Sequence, residues 1–460
     1  MFVGREEELS IIERKIQSQV FEFGLIYGRR RIGKTTLLQE VVKKHNAIYF
    51  VASELGIDYN LKQLSRTIAD YFNEPIMFED FESLFKYVAH KSQNQVIVLI
   101  IDEFTYLLSS DDGLLSIFQN SIDQYLLNSQ CKLLLSGSHV GMVEEALAYK
   151  KPLYGRSTFK IKVEAFNYVI ASKFYPSKTP EDKVRLYSIF GGIPFYLNKI
   201  DDSKSVKENV IELILQRGSI FEDEITFFLS QEVRSLSTYG LIINAIASGA
   251  TRINEIATKS GNLNSGNISK YLDTLRMLGI IEKEVCFGEQ GNSKKTLYKI
   301  KDQLFRFHYT FIEKEKSRKA TMNAEKFYNQ LILPKLDEYV SLEFENVCKT
   351  FLLIKYRDQA SEIGRYWYND AKLRKDVEID IVMKIEDKLL AFECKWTNSF
   401  VDREVAEHLK TKSDHVRAGI LGAFSRSGYT EAAKTVLTYT YAVSDLFNNH
   451  IITSNTVPSE

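Results

Sequence analysis

The chain has 460 residues, and its 60 Lys and Arg residues balance 60 Asp and Glu residues, so its formal net charge is zero. Because a domain usually holds roughly 100–200 residues, this length excludes a lone binding module and indicates about three domains. Zero net charge excludes a chain built throughout to coat nucleic acid or anionic membrane. Hydrophobic residues make up 44% and charged residues 26%, which is typical of a globular protein and excludes long disordered segments.

The sequence predicts neither membrane insertion nor secretion. The aliphatic run at residues 96–101 is six residues long, far below the ~20 that span a bilayer. The opening MFVGREEEL lacks the basic and apolar segments of a signal peptide. The 4 cysteines form no C-x-x-C pair, so neither disulfides nor a zinc knuckle are expected. We therefore expect a cytoplasmic protein with no membrane partner.

The first 165 residues alternate short apolar runs with longer amphipathic stretches. The runs are FGLIY, AIYFVA, VIVLIID, KLLLSGS and FKIKVEAF. This alternation predicts a parallel sheet with crossover helices. Residues 166–230 lack strand patterns and show helical periodicity, interrupted by GGIP at positions 191–194, which predicts a small helical domain.

Two further patterns follow in the second half of the chain. Residues 231–303 hold three short helical segments and then two strand-like runs, IIEKEVCFG and KKTLYKI, which is typical of a winged helix-turn-helix. A helical linker is predicted over residues 304–338. In residues 339–460, the runs VEIDIVMKI and KLLAFECKW predict strands of a last α/β domain.

A phosphate-binding loop follows the first predicted strand. Residues 28–35 read GRRRIGKT and match G-x-x-x-x-G-K-[ST]. Such a loop turns backbone N–H groups toward phosphate oxygens, and the next helix adds positive partial charge. We therefore expect ATP and Mg²⁺ as cofactors, with Lys34 reaching the β and γ phosphates and Thr35 holding Mg²⁺. The residues expected to contact the nucleotide here are Gly28, Arg29, Arg30, Arg31, Ile32, Gly33, Lys34, Thr35 and Thr36.

Polar residues follow the later strands of the same domain. The third apolar run ends in Asp102 and Glu103, which predicts Asp102 as a Mg²⁺ ligand and Glu103 as the base that polarises the attacking water. Either Ser136 or Ser138, after the next strand, is a candidate to sense the γ phosphate, and a turn without that role is the alternative. Arg156 is predicted to be an arginine finger, in cis or across a subunit boundary, or a surface salt-bridge residue.

These motifs together resemble the archaeal ATPase family, a P-loop group with an AAA+-like core related to the STAND ATPases. The segments that carry the resemblance are FVGRE, GRRRIGKT, IIDEF, LLLSGSHVGMV, PLYGR and GGIPFYL, and they cover most of the first 200 residues. The resemblance implies that Val3, Gly4 and Arg5 lie against the adenine, and that Pro194 lies in a helical lid near the nucleotide. The alternative to an ATP-hydrolysing machine is a STAND-like switch, in which ATP drives homo-oligomerisation through the ATPase core.

One segment of the chain is strongly basic, although the chain as a whole is neutral. Residues 291–326 hold ten Lys or Arg residues against four Asp or Glu residues. Because phosphate contacts need clustered cations, we expect nucleic acid, DNA before RNA, as a partner. Ser269, Lys270 and Tyr271 lie in the first turns of the third winged-helix segment, which reaches base edges in DNA-bound examples. A protein-interaction module or a spacer is the alternative.

Charged residues interrupt the apolar strands of the last region. Asp380 lies within VEIDIVM, and Glu393 and Lys395 share one face of the next strand. Two carboxylates on adjacent strands can bind Mg²⁺, and a lysine on the same face can stabilise the transition state of phosphodiester cleavage. Asp380 and Glu393 are therefore predicted metal ligands, and Glu378 is an alternative ligand.

This pattern resembles the restriction-endonuclease-like PD-(D/E)XK superfamily, in particular the nuclease-like domain that follows many archaeal ATPase cores. The resemblance implies catalytic roles for Glu345, Asp380, Glu393 and Lys395, and IGRYW and FSRSGYT are further family-like segments. A domain that keeps the fold without the activity is the alternative.

The predicted fold is therefore a multidomain α/β protein. Its parts are an AAA+-like P-loop core (residues 1–165), a helical lid (166–230), a winged helix (231–303), a helical linker (304–338) and a restriction-endonuclease-like α/β domain (339–460). The leading hypothesis is a Mg²⁺-dependent ATPase coupled to a nuclease-like effector. In the alternative, the nuclease-like domain is inactive and mediates protein interactions.

Overall fold

The structure is a computed structural model that describes residues 2–110, 113–263, 265–291, 295–370 and 375–448. Across these residues the chain divides into two compact units. The first is Met1–Ala165 with Ile193–Phe195, and the second is the described part of Phe166–Gly192 and Tyr196–Glu460. The finer predicted division into five domains stays a prediction. None of the helices in the described ranges is long and apolar enough to cross a membrane.

A parallel sheet forms the centre of the first unit. Its strands are β1 (Glu22–Tyr27), β2 (Ala47–Val51), β3 (Ile97–Asp102), β4 (Cys131–Gly137) and β5 (Phe159–Lys162). They lie in the order β2-β3-β4-β1-β5, with parallel pairing throughout. The parallel sheet predicted for this region is confirmed.

The helices of the first unit connect these strands. They are α1 (Glu6–Ile16), α2 (Lys34–Lys44), α3 (Ile57–Phe72), α4 (Phe81–Lys91), α5 (Thr105–Ser110), α6 (Leu114–Gln124) and α7 (Val140–Ala146). Strands β3 and β4 are buried at every position, as expected for central strands of a parallel sheet that is covered on both faces. Because parallel strands end at one edge, the segments after β1, β3 and β4 meet there.

Helices make up the first part of the second unit. They are α8 (Tyr168–Ala171), α9 (Pro180–Phe190), α10 (Pro194–Leu197, which begins in the first unit), α11 (Val206–Val210), α12 (Glu224–Glu232), α13 (Leu236–Ala247), α14 (Ile253–Lys259) and α15 (Ser265–Met277). Thr179 caps α9 by accepting a hydrogen bond from the N–H of Asp182, and Pro180 is the first helical residue, a common helix start.

A two-stranded ribbon and further helices follow α15. The strands β6 (Ile281–Val285) and β7 (Thr296–Ile300) pair antiparallel. The helices are α16 (Gln303–Phe307), α17 (Lys316–Thr321), α18 (Ala324–Phe327) and α19 (Leu336–Lys355). Wider π-helical turns extend three of the helices, at Ile211–Leu215, His308–Ile312 and Tyr328–Ile332.

The last part of the second unit is a mixed sheet. Its strands are β8 (Ala360–Asp370), β9 (Lys375–Ile385), β10 (Lys388–Lys395), β11 (Ile420–Ser425) and β12 (Tyr439–Ala442), in the order β12-β11-β10-β9-β8. Helices α20 (Arg403–Ser413) and α21 (Glu431–Lys434) complete it. Pairing is antiparallel from β8 to β10 and parallel from β10 to β12. The sequence predicted β9 and β10 and missed the other strands of this sheet.

Candidate functional site

The loop between β1 and α2 has the geometry of a phosphate cradle. Arg31 and Gly33 have φ values of 69° and 92°, in the left-handed region that tight turns use. Lys34 is 4% exposed, and its Nζ donates hydrogen bonds to the carbonyls of Gly28 at 2.9 Å and Arg29 at 3.2 Å. The ammonium group of the motif is therefore held against the loop itself.

Asp102 lies beside this loop at the end of β3 and is fully buried. Its Oδ2 accepts hydrogen bonds from the Thr35 hydroxyl and from the Tyr49 hydroxyl, both at 2.9 Å. Its Oδ1 accepts one from the backbone N–H of Glu103 at 3.0 Å. Hydroxyl and carboxylate oxygens are the ligands that Mg²⁺ prefers, so Thr35 and Asp102 fit the predicted ion.

Sequence reasoning missed Tyr49, which lies in the apolar run AIYFV. Strand β2 neighbours β3, with Tyr49 in register with Ile100, and this places the phenol against Asp102. Burial, followed by the charge of Asp102, raises the pKa of Tyr49. The phenol therefore remains a hydrogen-bond donor to Asp102.

Glu103, the candidate base, contacts Ser138. The Ser138 hydroxyl donates to the Glu103 carboxylate, and the Ser138 N–H donates to Glu103 Oε2 at 3.2 Å. Lys34 Nζ also donates to Ser138 Oγ, at 3.0 Å. Glu103 has a φ of 52°, a strained backbone conformation that is concentrated at functional sites. Ser136 is buried, and its hydroxyl has no hydrogen-bond partner among the described residues, so Ser138 is the better candidate of the two.

The other predicted residues of the loop lie around this centre. Arg30 contacts the Tyr106 hydroxyl at 3.4 Å and His139 Nε2 at 3.3 Å. The guanidinium of Arg31 lies over the ring of Phe195, 4.5 Å from its centroid. Arg29 and Ile32 are buried, whereas Thr36 is exposed on the first turn of α2.

Pro194, predicted from the GGIP segment, also lies at the loop. A Cβ atom placed on Gly33 would be 3.6 Å from Pro194 Cγ. The close approach explains why a residue remote in sequence belongs to the same compact unit as the loop.

The N-terminal segment is attached to the loop through Arg5, which is 6% exposed. Arg5 donates to the carbonyls of Ile32 at 3.1 Å and Glu164 at 2.5 Å, and to Glu8 Oε1 at 2.8 Å. Gly4 is buried and Val3 is half-buried. This attachment places the predicted adenine-contacting segment next to the phosphate loop, and the contact with adenine stays a prediction.

Arg156 makes a bidentate ion pair with Asp123. Its Nε and one terminal nitrogen donate to the two Asp123 oxygens at 2.9 and 2.6 Å, and the other terminal nitrogen donates to the Pro152 carbonyl at 2.8 Å. The salt-bridge alternative therefore describes this arrangement. A role as an arginine finger stays a prediction that requires Arg156 to leave Asp123.

The C-terminal carboxylates lie on adjacent strands. The register that pairs Ile381 with Phe392 brings Asp380 next to Glu393. The backbone N–H of Cys394 donates to Asp380 Oδ2 at 2.8 Å. Burial, and then the charge of Glu393, raise the pKa of Asp380 to about 6. The predicted pair is therefore brought together.

Two lysines occupy the oxygens of Glu393. Lys395 Nζ donates to Oε1 at 2.6 Å, and Lys412 Nζ, from α20, donates to Oε2 at 3.3 Å. Within the described ranges, no group of three or more His, Cys, Asp or Glu residues could hold a metal ion. The metal role predicted for Asp380 and Glu393 stays a prediction, and both oxygens of Glu393 have a lysine donor in this arrangement. Lys412 was missed because it lies on a helix outside the motif.

The other predicted acidic residues of this region have different surroundings. Burial, and then the charge of Asp380, raise the pKa of Glu345 to about 8. Glu378, the alternative metal ligand, forms an ion pair with Arg365. A metal role of Glu378 stays a prediction.

Part of the basic region predicted to bind nucleic acid is paired with carboxylates outside that region. Lys299 pairs with Glu284 at 2.9 Å, and Lys319 pairs with Glu222 at 2.9 Å. Lys294, which belongs to the same predicted region, lies outside the described residues. The local excess of positive charge is therefore smaller at the surface than the sequence suggests.

The third predicted winged-helix segment presents two polar residues. Ser269 and Lys270 are exposed on α15. Tyr271 instead packs edge-on against Tyr239 of α13, with ring centroids 5.1 Å apart. Ser269 and Lys270 thus keep the exposure that their predicted role needs, and Tyr271 has a packing role.

Two family models match separate parts of the chain. Residues 2–200 match an ATPase domain found predominantly in Archaea, and residues 308–409 match a domain of archaeal and bacterial proteins of unknown function. A Walker-type ATPase of Pyrococcus abyssi has a similar fold, with a TM-score of 0.50 at 20% identity, covering 67% of this chain and 96% of that one.

The relatives of this chain include two proteins of Methanocaldococcus jannaschii. An uncharacterised protein is 33% identical over 416 residues, which cover 88% of this chain and 89% of the relative. A protein described as ATP-binding is 44% identical over 43 residues, which cover 9% of this chain and 73% of the relative. The chain therefore belongs to the family of the longer relative, as an ATP-binding P-loop ATPase with an archaeal-type ATPase domain and a C-terminal region shared by archaeal and bacterial proteins.

Proposed function

We propose that the protein hydrolyses ATP with Mg²⁺ at the P-loop and couples the nucleotide state to nucleic-acid binding by its second unit. The observation that carries the hydrolytic part is the buried Asp102, which is bonded to the Thr35 hydroxyl at 2.9 Å. Thr35 directly follows Lys34 in the phosphate-binding motif.

Each residue of this site has a distinct task in the proposal. Thr35 and Asp102 would hold Mg²⁺, which supplies charge that offsets the phosphate oxygens when it is bound. Lys34 binds the β and γ phosphates, and Glu103 accepts a proton from the water that attacks the γ phosphorus. The bond between that phosphorus and the bridging oxygen breaks, and ADP carries the electron pair away.

Ser138 lies between the phosphate-binding lysine and the candidate base. It contacts both Lys34 and Glu103, so its hydroxyl must be released before Glu103 can orient water. A released Ser138 hydroxyl can then donate to the γ phosphate. Arg156 adds positive charge only after it has left Asp123.

The nucleic-acid part of the proposal rests on the winged-helix arrangement. Helices α13, α14 and α15 precede the antiparallel ribbon of β6 and β7, which is the element order of that motif. The exposed Ser269 and Lys270 lie on α15, the helix that would face bases. Coupling to ATP would pass through the helices that precede this region.

A second candidate function is an ATP-dependent switch with a non-cleaving nuclease-like domain. The occupation of both Glu393 oxygens by lysines favours it. In the nuclease prediction, Asp380 and Glu393 would bind the metal ion and Lys395 would stabilise the transition state. An assay of plasmid and oligonucleotide cleavage with Mg²⁺ or Mn²⁺ separates the two functions, because only a nuclease loses its cleavage in Asp380→Ala and Lys395→Ala proteins.

The hydrolytic function is tested with Lys34→Ala. We expect at least about a 100-fold loss of ATP turnover, since a direct contact with the reacting phosphates is removed. Lys43→Ala is the matched control, because Lys43 lies on the same helix and pairs with Glu40 at the surface. Equal turnover by wild type and Lys34→Ala would exclude the P-loop as the site of hydrolysis.

A further inference from the structure

The tip of the two-stranded ribbon lies against β8, the edge strand of the second sheet. We call residues 286–288 and 295 the ribbon tip, since they follow β6 and precede β7. The backbone N–H of Phe287 donates to the Arg365 carbonyl at 2.9 Å, and the Phe287 side chain packs against the core of the second sheet. A Cβ atom placed on Gly364 would be 3.7 Å from Phe287 Cβ. The ribbon tip is therefore docked on β8.

Strand β8 also holds two further side chains of the ribbon tip. Cys286 is buried, its thiol donates to the Trp367 carbonyl, and its Sγ accepts from the Trp367 N–H, both at 3.4 Å. Lys295 Nζ donates to the same carbonyl at 3.3 Å and lies 5.5 Å from the centroid of the Tyr368 ring. Lys295 belongs to the basic region predicted to bind nucleic acid. The docked ribbon thus directs to β8 a cation that is suited to a phosphate contact.

The packing between the ribbon and β8 is incomplete. A cavity of about 320 Å³ lies between β6, β8 and α19, and its lining includes Glu284, Lys349 and Arg365. Arg365 Nε is buried and has no hydrogen-bond partner among the described residues. Burial, followed by the charge of Lys299, lowers the pKa of Lys349. Because buried unpaired donors and desolvated charges cost free energy, the docked ribbon carries a cost that solvent would relieve on release.

The ribbon rests on β8 without extending the second sheet. The pairing of β8 with β9 shifts register between Ala360 and Glu362, and again between Gly364 and Tyr366. Such bulges interrupt a regular ladder of backbone hydrogen bonds. The ribbon and β8 belong to separate sheets, so the ribbon tip can leave β8 without breaking the pairing of either sheet.

We infer that the contact with β8 is autoinhibitory: it withholds the ribbon tip from nucleic acid, and a DNA duplex competes with β8 for the tip. The major groove of DNA admits a two-stranded β-ribbon. After release, Lys295 donates to a phosphate instead of the Trp367 carbonyl. The inference rests on the proposed nucleic-acid binding by the second unit and adds its regulation, since docking of the ribbon tip lowers the affinity for the duplex.

A disulfide that locks the ribbon tip to β8 tests the inference. Cβ atoms at positions 287 and 364 would be 3.7 Å apart, a separation found in disulfides. The full chain with Cys286→Ser, Phe287→Cys and Gly364→Cys is oxidised with oxidised glutathione, and peptide mass mapping confirms the bond. Binding of a fluorescein-labelled DNA duplex is measured by anisotropy over a range of salt concentrations.

We expect the locked protein to bind the duplex about tenfold more weakly when oxidised than when reduced, because the ribbon tip is then confined to β8. Its salt slope should be lower by about one, since the Lys295 contact is lost. The protein with Cys286→Ser and Phe287→Cys alone is the matched control. It lacks the partner thiol at position 364, so its affinity should be the same in both redox states.

A variant that loosens the contact should have the opposite effect. Phe287→Ala removes the ring that packs against the core of the second sheet, so β8 holds the ribbon tip less tightly. We expect the duplex affinity to rise about threefold and maleimide to label Cys286 about tenfold faster in the free protein. Cys348, which is fully buried in the same unit, should stay unlabelled if the unit remains folded. Phe227→Ala, at an exposed position of α12, is the matched control and should change neither quantity.

The outcomes separate this inference from the proposed function. Equal duplex affinities of the oxidised and reduced locked protein would contradict the autoinhibitory contact and leave the proposed nucleic-acid binding intact. Faster labelling of Cys286 in Phe287→Ala without a gain in affinity would lead to the same conclusion. If Cys348 is labelled as well, the unit has unfolded in that variant, and the locked protein decides alone. A wild-type chain that binds no duplex would contradict the proposed function and this inference with it.

Discussion

Asp102 in the first unit and Glu393 in the second are both buried carboxylates at strand ends, and different donors contact them. Asp102 accepts hydrogen bonds from the Thr35 and Tyr49 hydroxyls and from a backbone N–H. Glu393 accepts its bonds from two lysine ammonium groups. Hydroxyl donors are neutral, so the charge of Asp102 remains available to a cation. Ammonium donors are positively charged, so they compensate the charge of Glu393.

The two predicted Mg²⁺ sites therefore differ in the groups that already contact their carboxylates, and both metal roles stay predictions. Both carboxylates were predicted as Mg²⁺ ligands from apolar strands, Asp102 at the end of a strand in the P-loop domain and Glu393 on a strand that also carries Lys395. The neighbouring donors separate them, because a metal ion must compete with whatever already holds the carboxylate oxygens.

The largest expected effect is a pH dependence of the free energy of unfolding, and it arises at Glu345 in the second unit. The pKa of Glu345 is raised from 4.5 to about 8 by burial and by Asp380. The unfolded chain loses this proton near pH 4.5 and the folded chain keeps it to about pH 8. The free energy of unfolding should therefore fall as pH rises through this window, by up to about 1.4 kcal/mol per pH unit.

Urea unfolding followed by tryptophan fluorescence measures this dependence. Both tryptophans, Trp367 and Trp396, lie in the second unit, so the signal reports the relevant part of the chain. Glu345→Gln should flatten the dependence mainly above pH 6, since Asp380, whose pKa is about 6, contributes below it. Glu404→Gln, at an exposed position of α20, should leave the dependence unchanged. A Glu345→Gln protein with the wild-type pH dependence would show that Glu345 is not the proton-binding group.

A smaller effect is expected at Asp102. Tyr49→Phe removes one hydroxyl donor and leaves Thr35 and the backbone N–H to orient the carboxylate. A hydrogen bond to a charged group contributes roughly 1.5–3 kcal/mol, part of which is regained by solvent. We expect the Mg²⁺ concentration for half-maximal ATP turnover to rise about three- to tenfold, with little change in kcat at saturating Mg²⁺.

The matched control for this change is Tyr59→Phe, since Tyr59 is 44% exposed on α3. An unchanged Mg²⁺ requirement in Tyr49→Phe would mean that Tyr49 does not position Asp102. A lower kcat at saturating Mg²⁺ would instead place Tyr49 in the reaction itself and not only in the positioning of Asp102.

Local sequence predicted the strands of the first sheet and missed several strands of the second. The five strands of the first sheet follow apolar runs that are long and regular enough to read directly. In the second sheet, β8 has the sequence ASEIGRYWYND, whose charged residues and glycine hide the strand pattern. Its place at the sheet edge makes such a composition tolerable, since an edge strand is buried less completely.

The positive charge of residues 291–326 was predicted from composition, and composition does not show which charges form ion pairs. Lys319 reaches Glu222, which lies 97 residues earlier in the chain. Contacts of this kind reduce the positive charge that nucleic acid would encounter.

The sequence by itself determined the phosphate-binding loop, because eight consecutive residues form it and their backbone geometry is local. It also determined that Asp102 and Glu103 end a buried strand. Tertiary structure alone decided which side chains meet the carboxylates. Tyr49 is 53 residues from Asp102, and Lys412 is 19 residues from Glu393. Strand order and helix packing bring these groups together, and neither is encoded in the spacing of a single motif.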